Sequence, residues 1–357
     1  MGTDPIISPA EKGVRAYFSM TLLVTGGLGY IGSHACVALA AAGRRHLVVV
    51  DNLSNSKASA LERIRELAPG ASVEFVRADV RDRAALEGLF QGHRIDAVLH
   101  FAGLKAVGES VAKPDEYRDN NVEGTRALLE AMLRHKVSRI VFSSSATVYG
   151  EPRYLPLTEA HPLQPQSPYG QNKLEIEQLL TRTATDSAAL SFAALRYFNP
   201  IGAHDSGRIG EDPRGIPNNL FPYLSQVAIG KLAKLRVFGN DYPTIDGTGV
   251  RDYIHVVDLA AAHMSALRYL EQRERSIIAN IGTGRGYSVL EVVRAFETVT
   301  GKTIPFEVTG RRDGDVATCF ADPSFAAREL GWRAELSLED MCRDAWRWQS
   351  MNPGGYA

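Results

Sequence analysis

From Thr21 onward, short unbroken apolar runs alternate with longer segments whose apolar residues recur at helical spacing. Thr21-Leu22-Leu23-Val24-Thr25 and the runs at 47–50, 73–76, 97–101 and 139–142 read as strands. Helices are expected between them at 33–42, 59–67, 83–90 and from Asn120-Asn121 to Lys136. Strands that are apolar on both faces must be covered on both faces, so this βαβα order predicts an α/β fold with a doubly wound parallel sheet. Beyond Ala184 the pattern loosens into a smaller α/β lobe. It has strands at 191–197, 235–238 and 277–281, a turn region at 246–252, and helices at 257–270, 289–300 and 338–350. The Gly/Pro/Asp-rich connection over 202–219 is long for a compact chain, and such loops are usually functional. Three divisions follow: a leader or poorly packed tail over 1–19, a nucleotide-binding part over 20–198 to which later segments return, and a mainly substrate-binding part over 199–357.

The first strand runs directly into Gly26-Gly27-Leu28-Gly29-Tyr30-Ile31-Gly32. Of the glycines at 26, 29 and 32, one makes the turn, one admits a pyrophosphate against the backbone, and one permits close helix–strand packing. The helix that follows offers free N–H groups and a partial positive charge to phosphates, as in a Rossmann-type site. The second strand ends in Asp51, about 19 residues beyond Gly32, where such folds place the acid that binds the adenosine ribose. A carboxylate there repels a 2′-phosphate, which favours NAD over NADP. Asp79 is placed to meet the adenine edge and Phe101-Ala102-Gly103 to pass under the pyrophosphate. Asn120 serves either the cofactor or only the start of its helix.

Ser143, Ser144 and Ser145 follow the fifth strand, at the sheet edge where open α/β folds bind ligands. Ser167 is a plausible N-cap and Pro168 suits the first helical position, so a helix begins there and carries Tyr169 and Lys173 four apart on one face. A tyrosine at that spacing from a lysine occurs on many helices, but here it lies downstream of a nucleotide site. A free phenol has a pKa near ~10. A lysine ammonium and a bound nicotinium cation together lower it toward about 7, making a general base.

Composition narrows the function classes. The 357 residues suffice for a substantial core, and a formal net charge of -1 with a pI of about 6.8 shows neither a nucleic-acid stripe nor an acidic tail. Cys36, Cys319 and Cys342 lack a CxxC spacing and the nine histidines lack HxxxH pairs, so neither a disulfide framework nor a zinc site is expected. No apolar run approaches the ~20 residues that span a bilayer. In the second half Arg251, Arg311 and Arg312, with Asn199 and Asn219, suit a nucleotide-diphosphate substrate, since arginine supplies a bidentate fork for phosphate.

Taken together, the segments at 25–34, 101–110, 143–150, 165–170, 196–200, 215–220 and 249–255 resemble the UDP-glucose 4-epimerases, extended short-chain dehydrogenase/reductases. The glycine loop and the Tyr/Lys pair are shared across that superfamily, whereas 101–110 and 215–255 are specific to the epimerases. The scattered cysteines and the lack of a long apolar run lead to the expectation of a cytoplasmic protein, and the resemblance implies a homodimer, paired through the helices at 120–136 and 168–183, that interconverts UDP-galactose and UDP-glucose through a 4-keto sugar. It places NAD against Gly26, Gly29, Tyr30, Ile31, Gly32, Asp51, Asn52, Leu53, Ser54, Asn55, Ser56, Asp79, Val80, Phe101, Ala102, Gly103, Lys105, Asn120, Ser143, Tyr169, Lys173 and Phe198. Ser145 and Tyr169 would handle the 4-hydroxyl proton beside Lys173. The UDP-hexose would be held by Lys105, Asn199, Asn219, Leu220, Arg236, Val237, Phe238, Arg251, and Arg312 through Asp315. Cys319 stands where narrow-pocket bacterial members carry a tyrosine. Either it widens the pocket for UDP-GlcNAc and UDP-GalNAc, or it is a plain small core residue.

Two rivals share the fold. A nucleotide-sugar 4,6-dehydratase needs an acid/base pair, usually Asp-Glu, after the strand-end serine, and this chain has Ala146-Thr147 there. A non-catalytic NAD-sensing regulator typically loses the tyrosine or the lysine, and both are present.

Overall fold

In the computed structural model the apolar runs assemble into one seven-stranded parallel sheet. The structure describes residues 20–187, 189–312 and 314–356; the expected leader over 1–19 and Asp313 lie outside the described residues. The first half contains β1 (Thr21–Thr25), α1 (Tyr30–Ala41), β2 (His46–Asp51), α2 (Ser59–Leu67), β3 (Ser72–Arg77), α3 (Arg83–Gly92), β4 (Ala97–His100), α4 (Val107–Ala112), α5 (Pro114–Arg118), α6 (Gly124–Arg134), β5 (Arg139–Ser145) and α7 (Pro168–Asp186). Then come β6 (Ser191–Tyr197), β7 (Asn199–Ile201), α8 (Leu220–Ala228), β8 (Leu235–Phe238), β9 (Val250–His255), α9 (Val256–Arg273) and β10 (Ile277–Ile281). The chain closes with β11 (Gly286–Ser288), α10 (Val289–Thr300), β12 (Phe306–Thr309), β13 (Thr318–Cys319), α11 (Ser324–Leu330) and α12 (Leu338–Met351).

Spatial order in the sheet is β10-β6-β5-β4-β1-β2-β3, with every neighbouring pair parallel. Successive residues of β1 serve opposite faces. Leu22 and Val24 pack with Cys36 and Leu39 of α1 and Leu267 of α9, whereas Leu23 packs with Leu86 of α3, Met132 of α6 and Ile176 of α7. The order of strands reverses between β1 and β4, and a crevice opens at their C-terminal ends, where such sheets bind ligands. A second sheet, β11-β9-β13 with β7 beside β9, and the pair β12-β8 wall off the far side. Their own core is built from Phe221, Leu224, Val237, Phe296, Met341 and Cys342.

Several boundaries differ from expectation for identifiable reasons. The first helix begins at Tyr30, so Gly32 lies in its first turn. The expected helix over 120–136 is a π-helical turn, Asp119–Glu123, continued by α6, and the two short helices α4 and α5 precede it. Pro114 starts α5 at a position where its missing N–H costs nothing. The 246–252 turn region gives way to β9 at Val250. Helix α8 went unseen because Pro222 and the Gly/Pro-rich approach read as loop, and β7, β11 and β13 are too short to show a period.

Candidate active site

At the β1–α1 turn Gly26 has φ +69 and donates from its N–H to Val50 O at 2.7 Å. A Cβ at Gly26 would fall 2.6 Å from Ala102 N, and one at Gly32 would fall 2.3 Å from Gly26 O, so the three strand ends meet only without side chains. Helix α1 has Gly29 as its N-cap, no side-chain cap and no acidic residue in its first turn, which leaves its positive end open to the crevice. Next to it the Asp51 carboxylate accepts from Leu28 N at 3.2 Å, Leu53 N at 2.9 Å and Ser56 Oγ at 2.7 Å. This cradle fits a dinucleotide: bare N–H groups for the diphosphate and a fixed carboxylate for ribose hydroxyls.

The crevice continues as a cleft of about 610 Å³ between the two sheets. Its middle is the end of β5. Ser144 Oγ donates to Glu177 Oε1 at 2.5 Å, and Glu177 also accepts from Arg196 Nε at 3.0 Å and Nη2 at 2.7 Å, all buried. Ser143 and Ser145, one step either side, line the cleft, Ser145 beside the Tyr169 phenol, while the Tyr197 hydroxyl bonds His263 Nε2. Ser145 Oγ is held in place by Thr147, which donates from its N at 3.2 Å and its Oγ1 at 3.0 Å. Helix α7 starts as its sequence predicts: Ser167 Oγ accepts from Gly170 N at 3.1 Å and Pro168 takes the first turn.

Lys173 Nζ donates to Ser143 O at 2.6 Å and stands 5.6 Å from the centroid of the Tyr169 ring and 4.8 Å from that of Phe142. Burial pulls the ammonium down to about 8, opposed by the Glu177 carboxylate one turn on. Burial pushes the Tyr169 phenol up to about 12, opposed by the Ser145 hydrogen bond. Desolvation outweighs the chain's own groups, so a phenol near 7 requires the nicotinium charge as well as Lys173.

At the far end, Arg236 and Arg312 each lie 5.2 Å from the Phe238 ring centroid, and Asp315 draws in Arg312 at 3.2 Å and Arg251 at 3.6 Å. Asn219 caps α8 by position, but its amide donates to Glu211 Oε1 at 3.1 Å, and Lys105 Nζ donates to the same oxygen at 2.9 Å. The Tyr242 hydroxyl is buried in the cleft wall without a hydrogen-bond partner among the described residues. Cationic forks, an aromatic face and an orphaned hydroxyl together suit a nucleoside diphosphate.

Comparison with known proteins agrees with this geometry. Residues 23–345 match the family model described as GDP-mannose 4,6 dehydratase. The chain is 59% identical over 337 residues to the UDP-glucose 4-epimerase of Bacillus subtilis, covering 94% of this chain and 99% of that one. The chain belongs to the UDP-glucose 4-epimerase family. Among solved epimerases, that of Stenotrophomonas maltophilia with bound NAD and formylated UDP-arabinopyranose superposes with a TM-score of 0.91 at 55% identity, covering 94% and 99% of the two chains. The Bifidobacterium longum UDP-glucose 4-epimerase in complex with NAD+ and UDP gives 0.91 at 50% identity, covering 94% and 100%.

Nearly all the residues expected of an epimerase site line this one cleft, from Gly26 and Asp51 through Tyr169 and Lys173 to Arg251 and Asp315. Three do not. Leu53 sits in a left-handed turn and offers its carbonyl to Arg214, and Asp79 is occupied by Arg81 at 2.9 Å and Asn52 at 3.0 Å, which hold its carboxyl well below the usual range. Cys319 lies half-buried in β13, in register with Arg251 and behind the cleft wall, its thiol pushed up to about 11 by burial. The cleft also takes in Tyr197, which lies in the 196–200 segment, and Lys57, Glu211, Asp212, Tyr242 and Tyr356, which no sequence motif marks. Asp212 and Glu211 fall in the long 202–219 connection, and its length was the one sign of them.

Proposed function

We propose that this enzyme interconverts UDP-galactose and UDP-glucose with one tightly held NAD, the 20–198 part holding the cofactor and the 199–357 part mainly the UDP-sugar. The observation that carries this is a single cleft with the glycine cradle and Asp51 at one end, the Arg236/Phe238/Arg312 stack at the other, and Tyr169 beside Ser145 and Lys173 between them. When bound at the glycine cradle and Asp51, NAD would supply a hydride acceptor and donor for sugar C4. Tyr169, half-buried in the cleft beside Ser145, takes the O4 proton directly or through that serine and gives it back. Lys173, anchored on Ser143 O, holds positive charge close to the ring that must become a phenolate. The stacked Phe238 and its arginines grip the UDP, which leaves the keto-hexose free to turn within the cleft. Ala146 and Thr147, in the short turn that Ser145 caps, supply no carboxyl for dehydration.

Purified enzyme should convert UDP-galactose to UDP-glucose without added NAD and release NAD when denatured. Absence of both the conversion and the dinucleotide would defeat this reading, and loss of water to a 4-keto-6-deoxy sugar would favour the dehydratase instead. The resemblance that puts Cys319 in a tyrosine's place supports acceptance of UDP-GalNAc and UDP-GlcNAc as well, whereas its position off the cleft lining favours a plain small core residue; a lack of turnover of UDP-GalNAc would decide for the latter. The homodimer is carried from the same resemblance and the cytoplasmic location from the cysteine pattern, and light scattering that returns the mass of one chain would remove the dimer.

A further inference from the structure

The segment over 202–219 does more than connect β7 to α8. Asp212 Oδ2 accepts from Lys57 Nζ at 2.8 Å and from Tyr356 N at 2.9 Å, and Lys57 Nζ also donates to Tyr356 O at 3.2 Å. Two residues on, Arg214 Nη2 donates to Leu53 O at 2.7 Å and to Ser56 O at 3.3 Å. The Tyr356 hydroxyl accepts from Gly210 N at 3.2 Å. The tail comes this close because residue 355 is glycine at φ +81: a Cβ there would fall 2.2 Å from Asp212 Oδ1. The Lys57 and Arg214 contacts fall on the loop that follows Asp51, at the ribose end of the cradle, while the others tie the segment to the tail. Asp212 and Tyr356 line the same cleft as that loop, so the segment and the tail form its outer wall.

We propose that Asp212 fastens a clasp, made of the 202–219 segment and Tyr356, that keeps NAD in the cleft between turnovers. Asp212 is thus a positioning residue for cofactor retention, and the proposal rests on the NAD assignment above. A dehydrogenase that exchanges its coenzyme at each cycle needs that wall to open. A reaction that ends in the redox state it began with has no use for an exit, and here a carboxylate, an ammonium and a guanidinium hold the wall to the loop from two sides. Parting them requires that Asp212 lose its two donors and that Arg214 leave two backbone carbonyls.

The test uses the purified NAD-loaded enzyme mixed with excess fluorescent etheno-NAD, following uptake of fluorescence and appearance of NAD in the filtrate. Asp212→Asn and Arg214→Ala are each expected to release NAD about tenfold faster than wild type, the change that one lost contact of about 1.4 kcal/mol brings, and the double variant faster still. Ser337→Ala, which removes the cap of α12 without touching the clasp, controls for general loosening and should release at the wild-type rate. Release at the wild-type rate in both clasp variants overturns the proposal, as does acceleration in Ser337→Ala equal to theirs. Wild-type protein that carries no NAD at all would instead defeat the assignment on which the clasp rests.

Discussion

Tyr169 and Lys173 are held by the same force that hinders them, since burial raises the one to about 12 and lowers the other to about 8. Replacing Tyr169 with phenylalanine keeps the ring and removes the proton carrier; kcat should fall roughly 10²–10⁴-fold, the range for a lost general base, while bound NAD is retained. Near-wild-type turnover would move the base elsewhere. Lys173 gives a pH dependence of definite sign. Its ammonium is present below about 8 and discharges above it, so kcat should decline as pH rises through that region. A profile flat from pH 7 to 10 would contradict the assignment. These residues were legible because their spacing is local: Ser167, Pro168, Tyr169 and Lys173 lie within one helix start. Ser145 was marked out only by the family resemblance, and what sequence could not show was that Glu177 and Arg196 lock the middle serine away, because those partners lie on other elements.

At the scale of elements, the catalytic helix depends on its first turn. Ser167→Ala leaves the Gly170 N–H uncapped and should cost about 1 kcal/mol of stability, measured by urea unfolding. An unchanged midpoint would mean that water replaces the cap without loss. Strands β1, β2, β4 and β6 could be read from sequence because both faces are buried and their runs are unbroken. Helix α1 was placed three residues late, because glycines 29 and 32 look like loop although the helix already contains the second of them. The smaller lobe was legible only in part. Its strands are two to six residues long and pair across gaps of up to about 70 residues, as β8 does with β12, which no local period reveals.

Across the whole molecule, three histidines are buried as neutral groups: His34 and His100 are lowered to about 3 and His263 to about 4, mainly by desolvation. His100 ties the sheet to α6, bonding Thr25 Oγ1 at 2.6 Å and Thr125 Oγ1 at 2.9 Å. The unfolded chain takes up these protons near 6.5 and the folded one does not, so stability is undiminished above that pH. Below it, down to about 4, each histidine removes about 1.4 kcal/mol per pH unit. Urea midpoints should drop steeply from pH 6.5 to 5; equal midpoints would show that the rings are charged in place. The end of β5 has a separate consequence. Adjacent strand residues look in opposite directions, so Ser143 and Ser145 belong to the chemistry and Ser144 to the interior, although all three are the same amino acid. Because all three are serine, a single residue inserted just before Ser143 would still leave a hydroxyl at the interior place and another toward Tyr169, so this run tolerates a slip of one residue that a mixed sequence would not.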